Sequence, residues 1–250
     1  MTDTPRPAST VLVVRDGTEG VEVYLQRRPG QMHFAGGLWV YPGGRVDDAD
    51  MDAGIDRCWS GPPPSAWAAV MGVETQLARG HVVAAYRETL EESSILLAVG
   101  GPSAAEVTDA RRALLAGTTT FVEVVRGLDL GLDTALLRYW AWWVTPETEP
   151  RRYDTRFFLA RLPDDAVITP HDDEVIEETW ATDPADDRLT MLPPTYYTMR
   201  DVVEQPSVAA AMTHASEHMT TRVEPTLDDD QIVLPWGERY DLKSGPAPRD

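Results

Sequence analysis

Residues 87–93 read RETLEES, an arginine followed by three glutamates within five positions. On a helix Glu88, Glu91 and Glu92 stand at i, i+3 and i+4, so they share one face and their carboxylates can converge. Clustered acids repel one another unless a cation lies among them. A hard, oxygen-seeking ion such as Mg²⁺ suits the set, because it keeps several waters and grips substrate phosphates. Arg87 reaches Glu91 at i, i+4 and holds one carboxylate against that repulsion, while Leu90 points off this face toward a core. A solvated helix face uses the same spacing, and more commonly. The helix alone leaves both readings open.

The elements that must position these acids follow from pattern. Val83, Tyr86 or Arg87, Leu90 and Leu97 recur at helical intervals with no proline between, which predicts a helix from about Gly80 to Val99. Upstream, STVLVVRD and VEVYLQRR flank GTEG and read as a hairpin or sequential strands, with Val21, Val23 and Leu25 on one face. HFAGGLWVYPGG follows, a glycine-rich loop around the short apolar segment Leu38–Tyr41. Paired Gly43 and Gly44 let that loop turn tightly and approach a helix or a ligand. Residues 45–79 are rich in Asp, Gly and Pro and read as an insertion with at most a short helix.

Downstream, GPSAAEVTDARRALLAG and TTFVEVVRG predict two helices, and LLRYWAWWVTP, TRFFLARLP and EVIEETWATD three strands. A helical tail from Leu189 to about Met212 and a short strand pair in QIVLPWGERYDL complete the chain. Strands, one long helix, more strands and then helices predict a mixed sheet with helices on both faces. No linker divides residues 10–240, so one domain is expected there, between flexible tails at 1–9 and 241–250.

Composition narrows the chemistry. The 250 residues carry a net charge of −19, which argues against general binding to nucleic acid or an anionic membrane. It permits an anionic small-molecule substrate, because a divalent cation and a few arginines reverse the field inside one cleft. The single cysteine, Cys58, excludes an internal disulfide and a multi-cysteine zinc site. MTDTPRPAST has no apolar segment of the kind a secretory signal needs, so a soluble cytoplasmic protein is expected. The sequence is silent on oligomeric state, and a homodimer is compatible with it.

YPGG at 41–44 together with the carboxylate helix resembles the signature of the Nudix hydrolases, G-x5-E-x7-R-E-U-x-E-E-x-G-U, where U is a bulky aliphatic residue. Gly44 and Asp50 follow the first half, with aspartate in the glutamate slot; Arg87, Glu88, Glu91, Glu92 and Ile95 follow the second. Thr89 replaces an aliphatic residue, Ser94 replaces the glycine, and 36 residues rather than seven separate Asp50 from Arg87. An insertion inside the box marks one Nudix subgroup, similar to the mammalian peroxisomal coenzyme A diphosphatase. The segments at 139–163 and 192–202 also resemble that subgroup, so the similarity extends over most of residues 10–240.

The resemblance implies an α/β/α sandwich around a mixed sheet, with 45–79 inserted in the box and a C-terminal helical extension at 189–240. It implies hydrolysis of a pyrophosphate bond in a nucleoside diphosphate derivative with Mg²⁺ or Mn²⁺. Glu88, Glu91 and Glu92 are then the metal ligands and catalytic carboxylates, with Asp50 at most in an outer role and Gly43 and Gly44 close to metal and substrate. For the general base the box glutamates and a downstream acid stay open. Glu174 is the downstream choice, although HDDEV reads at least as readily as an acidic surface turn.

Coenzyme A-cleaving members carry a second motif upstream, which Leu25, Arg28, Gly37, Tyr41, Pro42, Gly43 and Gly44 match in register, with Gln26, Pro29 and His33 departing from it. Arg28 reads equally as a phosphate ligand, through its planar fork, or as an exposed charge at a strand end. His33 stands where the motif has an arginine and meets a phosphate only when protonated. Arg151, Arg152 and Arg156 either neutralise an anionic group such as the 3′-phosphate of coenzyme A or balance nearby acids. Trp140, Trp142 and Trp143 read as core before they read as an adenine platform. Coenzyme A or an acyl-coenzyme A is the substrate expected first, ahead of ADP-ribose, NADH or a nucleotide sugar. A non-catalytic binding module ranks last, because all three glutamates are present.

Overall fold

A computed structural model of the chain describes residues 4–30, 36–98, 101–163, 166, 177–228, 231–242 and 245–246. In chain order the strands are β1 (Arg6–Asp16), β2 (Val21–Arg27), β3 (Trp39–Val40), β4 (Gly43–Arg45), β5 (Trp59–Ser60), β6 (Leu132–Asp133), β7 (Leu137–Val144), β8 (Tyr153–Arg161), β9 (Glu177–Ala181) and β10 (Arg222–Val223). The helices are α1 (Pro64–Met71), α2 (Thr75–Ser93), α3 (Ala104–Leu115), α4 (Phe121–Gly127), α5 (Pro193–Val203) and α6 (Val208–Glu217). Four short strands close the chain: β11 (Thr226–Asp228), β12 (Gln231–Val233), β13 (Arg239–Asp241) and β14 (Gly245–Pro246).

The main sheet runs β10-β7-β8-β1-β2-β3, with β4 also on β1 and β9 also on β2. It is mixed, since β1 lies parallel to β8 and antiparallel to β2 and β4. Alternation along β1 places Val11 and Val13 in a core under α2, and Leu12 and Val14 in a second core under α5 and α6. Helices on both faces of a sheet therefore follow from strands that are apolar on both sides. Val21, Val23 and Leu25 share the second core, as their spacing predicts.

Several boundaries depart from the sequence reading. Residues 6–9 are not a tail but the start of β1, paired with Tyr153–Arg156. Pro7 has no N–H to give the sheet, but its carbonyl accepts a bond from the Val46 N–H. Helix α2 begins at Thr75 and stops at Ser93, because Ser94 turns into the left-handed region at φ 56°. The 45–79 segment carries α1 and the first turns of α2, and it buries Ile55, Trp67 and Met71 in the core. The C-terminal helix breaks in two at Gln205–Pro206, where Ser207 caps α6. Among the described residues beyond 221, strands stand where the helical extension to 240 was expected, β12 and β13 being the strand pair expected in QIVLPWGERYDL. Residues 241 and 245–246 lie in β13 and β14 rather than in a tail.

Candidate active site

Two glycines and one arginine build the site. Gly43–Arg45 is a short strand rather than a loop, paired with Ala8–Thr10 so that Ser9 faces Gly44. A Cβ on Gly44 would lie 2.3 Å from Glu88 Oε1, so only glycine lets α2 bring that carboxylate against the strand. A Cβ on Gly43 would lie 2.5 Å from Thr10 Oγ1 and 2.7 Å from the Ser9 carbonyl oxygen, so its glycine serves sheet packing. The Gly43 N–H is already spent: it donates to Glu92 Oε2 at 2.9 Å. Gln26 Nε2 donates to the same oxygen at 2.8 Å, fixing Glu92 from a second strand.

Arg87 organises the other two acids. Its Nε and Nη2 donate to Asp50 at 2.9 and 2.8 Å, and Nη2 also to the Arg45 carbonyl at 2.9 Å. Its Nη1 donates to Glu88 at 2.7 Å and to Glu91 at 3.1 Å. Asp50 stays beside α2 although the insertion begins just after it, because Gly80 opens a place there. A Cβ on Gly80 would lie 2.7 Å from Met51 Cγ and 2.8 Å from Val46 Cγ1. The 3-10 turn Asp48–Met51 therefore seats on the helix, and Asp50 is 2% exposed.

Electrostatics set these groups apart. Burial, offset by Arg87 and reinforced by Glu92 and Glu91, pushes Glu88 up to about 8. Burial pushes Glu92 up to about 6, against the pull of the Gly43 N–H, Arg28 and Gln26. Glu91 is raised by burial too, against the Arg87 charge. Burial works against the Arg87 guanidinium, yet the Asp50 hydrogen bonds and the fields of Glu88, Asp50 and Glu91 raise its pKa further.

Each glutamate commits one oxygen to a protein donor and leaves the other without a hydrogen bond among the described residues. Three hard oxygens on one helix turn, destabilised as anions by burial and mutual repulsion, are the donor chemistry of a divalent cation. They do not form a ready-made cage: among the described residues no three His, Cys, Asp or Glu side chains stand at metal-holding spacing. Arg87, Gly43 and Gln26 each hold an acid aside. The residues fit a cation that draws the free oxygens together.

A cleft of about 1030 Å³ opens over this corner. Glu88, Glu92, Gly43, Gly44, Arg28 and Arg151 line it together. Glu91 stands behind them on Arg87. Two arginines do not reach the cleft. Arg152 is 6% exposed, bonded to the Thr145 carbonyl at 3.1 Å and paired with Glu224. Arg156 points to the opposite sheet face, because strand residues alternate, and its guanidinium lies 3.9 Å over the Trp142 ring beside Asp154. His33 and Glu174 lie outside the described residues.

A bulge between Tyr139 and Ala141 breaks the tryptophan alternation, so Trp140 joins Trp143 on one face and Trp142 takes the other. The bond from Gln26 to Glu92 has no signal in the sequence, where Gln26 stands as a departure from the upstream motif. The strand pair expected in QIVLPWGERYDL is β12 and β13, which help to wall the cleft; β11, which adds Leu227, was not expected.

A family model described as the NUDT19 Nudix domain matches residues 72–201, more than half of the chain. The chain belongs to the Nudix hydrolases. This Nudix chain is similar to the crystal structure of a Nudix hydrolase from Alicyclobacillus acidocaldarius, at 31% identity and a TM-score of 0.65 over 85% of this chain and 97% of that one. It is also similar to the acyl-coenzyme A diphosphatases NUDT19 of Gallus gallus (28% identity, 70% of this chain) and Xenopus laevis (24% identity, 73% of this chain). It spans 59% and 60% of the length of those two relatives. Among the described residues of this Nudix domain no helix is long and apolar enough to cross a membrane.

Proposed function

We propose that this protein hydrolyses the pyrophosphate bond of coenzyme A or an acyl-coenzyme A with a bound divalent cation, Mg²⁺ or Mn²⁺. The observation that carries the reading is the single cleft that joins Glu88 and Glu92 to Arg28 and Arg151 in a chain of net charge −19. Two local cations opposite paired acids make a place for a phosphate–cation complex that the rest of the surface would repel. The names of the NUDT19 relatives favour the acyl-coenzyme A class over ADP-ribose, NADH or a nucleotide sugar.

Glu88, Glu91 and Glu92 would hold the cation through the oxygens that carry no protein hydrogen bond among the described residues, and the chemistry it would supply there is neutralisation of phosphate charge and activation of water. Arg87 sets the spacing of Glu88 and Glu91, while Gln26 and the Gly43 N–H fix the Glu92 carboxylate. Arg28 meets a phosphate oxygen with its planar fork. Water adds to one phosphorus and the bridging oxygen leaves with the other. Coenzyme A would give 4′-phosphopantetheine and adenosine 3′,5′-bisphosphate. The retention of all three box glutamates argues for catalysis rather than a binding module.

The test incubates the protein with Mg²⁺ or Mn²⁺ and coenzyme A, an acyl-coenzyme A, NADH, ADP-ribose and a nucleotide sugar, beside Glu91→Gln. Cleavage of the coenzyme A compounds by the wild type alone supports the reading. Preference for ADP-ribose removes the substrate assignment and keeps the hydrolase. Cleavage of nothing, or equal cleavage by Glu91→Gln, removes the enzymatic role of this helix.

A further inference from the structure

The far wall of the cleft comes from the small C-terminal sheet. In that sheet Leu227 stands opposite Ile232, and Ile232 opposite Tyr240, so the three side chains form one cross-strand row on one face. Leu242 lies just past the end of β13. All four line the cleft. The alternate residues carry the polar contacts: Arg239 pairs with Asp228 at 2.6 Å and bonds Gln231 at 3.0 Å. The sheet is thus two-faced, and its apolar face is turned toward the site with Leu227 and Leu242 still 39% and 43% exposed.

Core packing does not account for those leucines. The sheet is anchored by the Tyr240 hydroxyl on the Met191 carbonyl at 2.9 Å, by Trp236 against Trp143 and Tyr197, and by Ile232 against the second core, none of which needs Leu227 or Leu242. The wall is also continuous with the carboxylates. Arg45, Ala8, Thr155 and Trp143 lie side by side across β4, β1, β8 and β7 and all line the cleft. Three interstrand steps separate the strand of Gly44 from Trp143, about 14 Å. Glu88 and Glu92 line the same cleft as this row and the C-terminal leucines, so a diphosphate held by them shares one cleft with the aliphatic wall.

We infer that Leu227, Ile232 and Leu242 form a subsite for the hydrocarbon chain of the substrate, and that this sheet sets a preference for acylated over unacylated compounds. The inference rests on the diphosphatase reading for its substrate, but not for its test. Aliphatic side chains without polar partners suit a flexible hydrocarbon better than a purine, whose edge nitrogens need hydrogen bonds.

The experiment measures equilibrium binding of dodecanoyl-pantetheine, pantetheine and adenosine 3′,5′-bisphosphate by calorimetry, to the wild type and to the double variant Leu227→Asn with Leu242→Asn. Both residues are exposed, so the fold should survive; circular dichroism checks this, and Leu242→Asn alone serves if the pair fails to fold. The wild type is expected to bind dodecanoyl-pantetheine more than about tenfold tighter than pantetheine, a gain that needs only about two buried methylenes. The variant should lose that preference and bind the nucleotide unchanged. Equal binding of the two pantetheines by the wild type overturns the inference, as does a preference that survives substitution. Weakened nucleotide binding instead would assign the wall to the nucleotide. Since none of these ligands is cleaved, failure of the panel above would leave this result standing, and the reverse.

Discussion

Arg87 and Asp50, separated by the whole inserted segment, face each other through two parallel hydrogen bonds of 2.9 and 2.8 Å. This pair fixes the guanidinium so that its remaining nitrogen spans Glu88 and Glu91. Removing Asp50 would leave a buried cation short of its main partner. Asp50→Ala should lower stability by about 3–5 kcal/mol, read from urea unfolding. Arg87→Lys should lose activity as well, since a point charge cannot serve three acids and a carbonyl at once. An Asp50→Ala protein of wild-type stability would refute the pairing as an anchor.

The position of Gly44 ties sequence to chemistry through one missing atom. Gly44→Ala should displace Glu88 and leave the fold intact, because the backbone there is extended and the clash is with a side chain. A displacement of about 1 Å costs roughly 10²-fold in kcat/KM. Steady-state kinetics beside circular dichroism decides it, and unchanged kinetics would show that Glu88 has room to spare.

Ser94 occupies a left-handed conformation at φ 56° with its hydroxyl buried and unbonded. Both features cost stability, the first because a Cβ crowds the following carbonyl. Ser94→Gly should raise stability by about 1 kcal/mol after the entropy lost by a glycine, a rise of about 2–4 °C in Tm. A fall in Tm would mean that the serine Cβ packs better than its backbone strains.

His81 gives the fold a pH dependence. Burial, with Arg156 nearby, lowers its pKa to about 3. Ser9 Oγ donates its one proton to the His81 carbonyl at 2.8 Å, so the ring Nδ1–H donates to Ser9 Oγ at 3.0 Å. The unfolded chain binds this proton near pH 6.5 and the folded chain does not. The stabilisation is therefore complete above about pH 6.5 and lost as pH falls toward 3. Comparing urea midpoints of wild type and His81→Asn at pH 7.5 and 4.5 isolates the effect from the carboxylates. The wild type should lose more, by an amount on the order of 1–3 kcal/mol; equal losses would place the charged ring in the fold.

The sequence alone determined the local part of the site. Glu88, Glu91 and Glu92 share a face because helical period is a property of spacing, and Arg87 reaches Glu91 for the same reason. The β1–β2 hairpin and the mixed sheet were legible because alternation and turn residues act within a few positions. Whatever depends on distant partners was not. That Arg156 and Arg152 are buried against Asp154 and Glu224 while Arg151 faces the cleft depends on strand register and on Glu224, 72 positions from Arg152. Glu92 is held by Gln26 across 66 positions, and Asp50 reaches Arg87 only because Gly80 has no side chain to keep the Asp48–Met51 turn off α2. The apolar wall at Leu227 and Ile232 exists only once β11 and β12 pair in that register. Local periodicity can be read along the chain, whereas the choice among possible partners is made by packing in three dimensions.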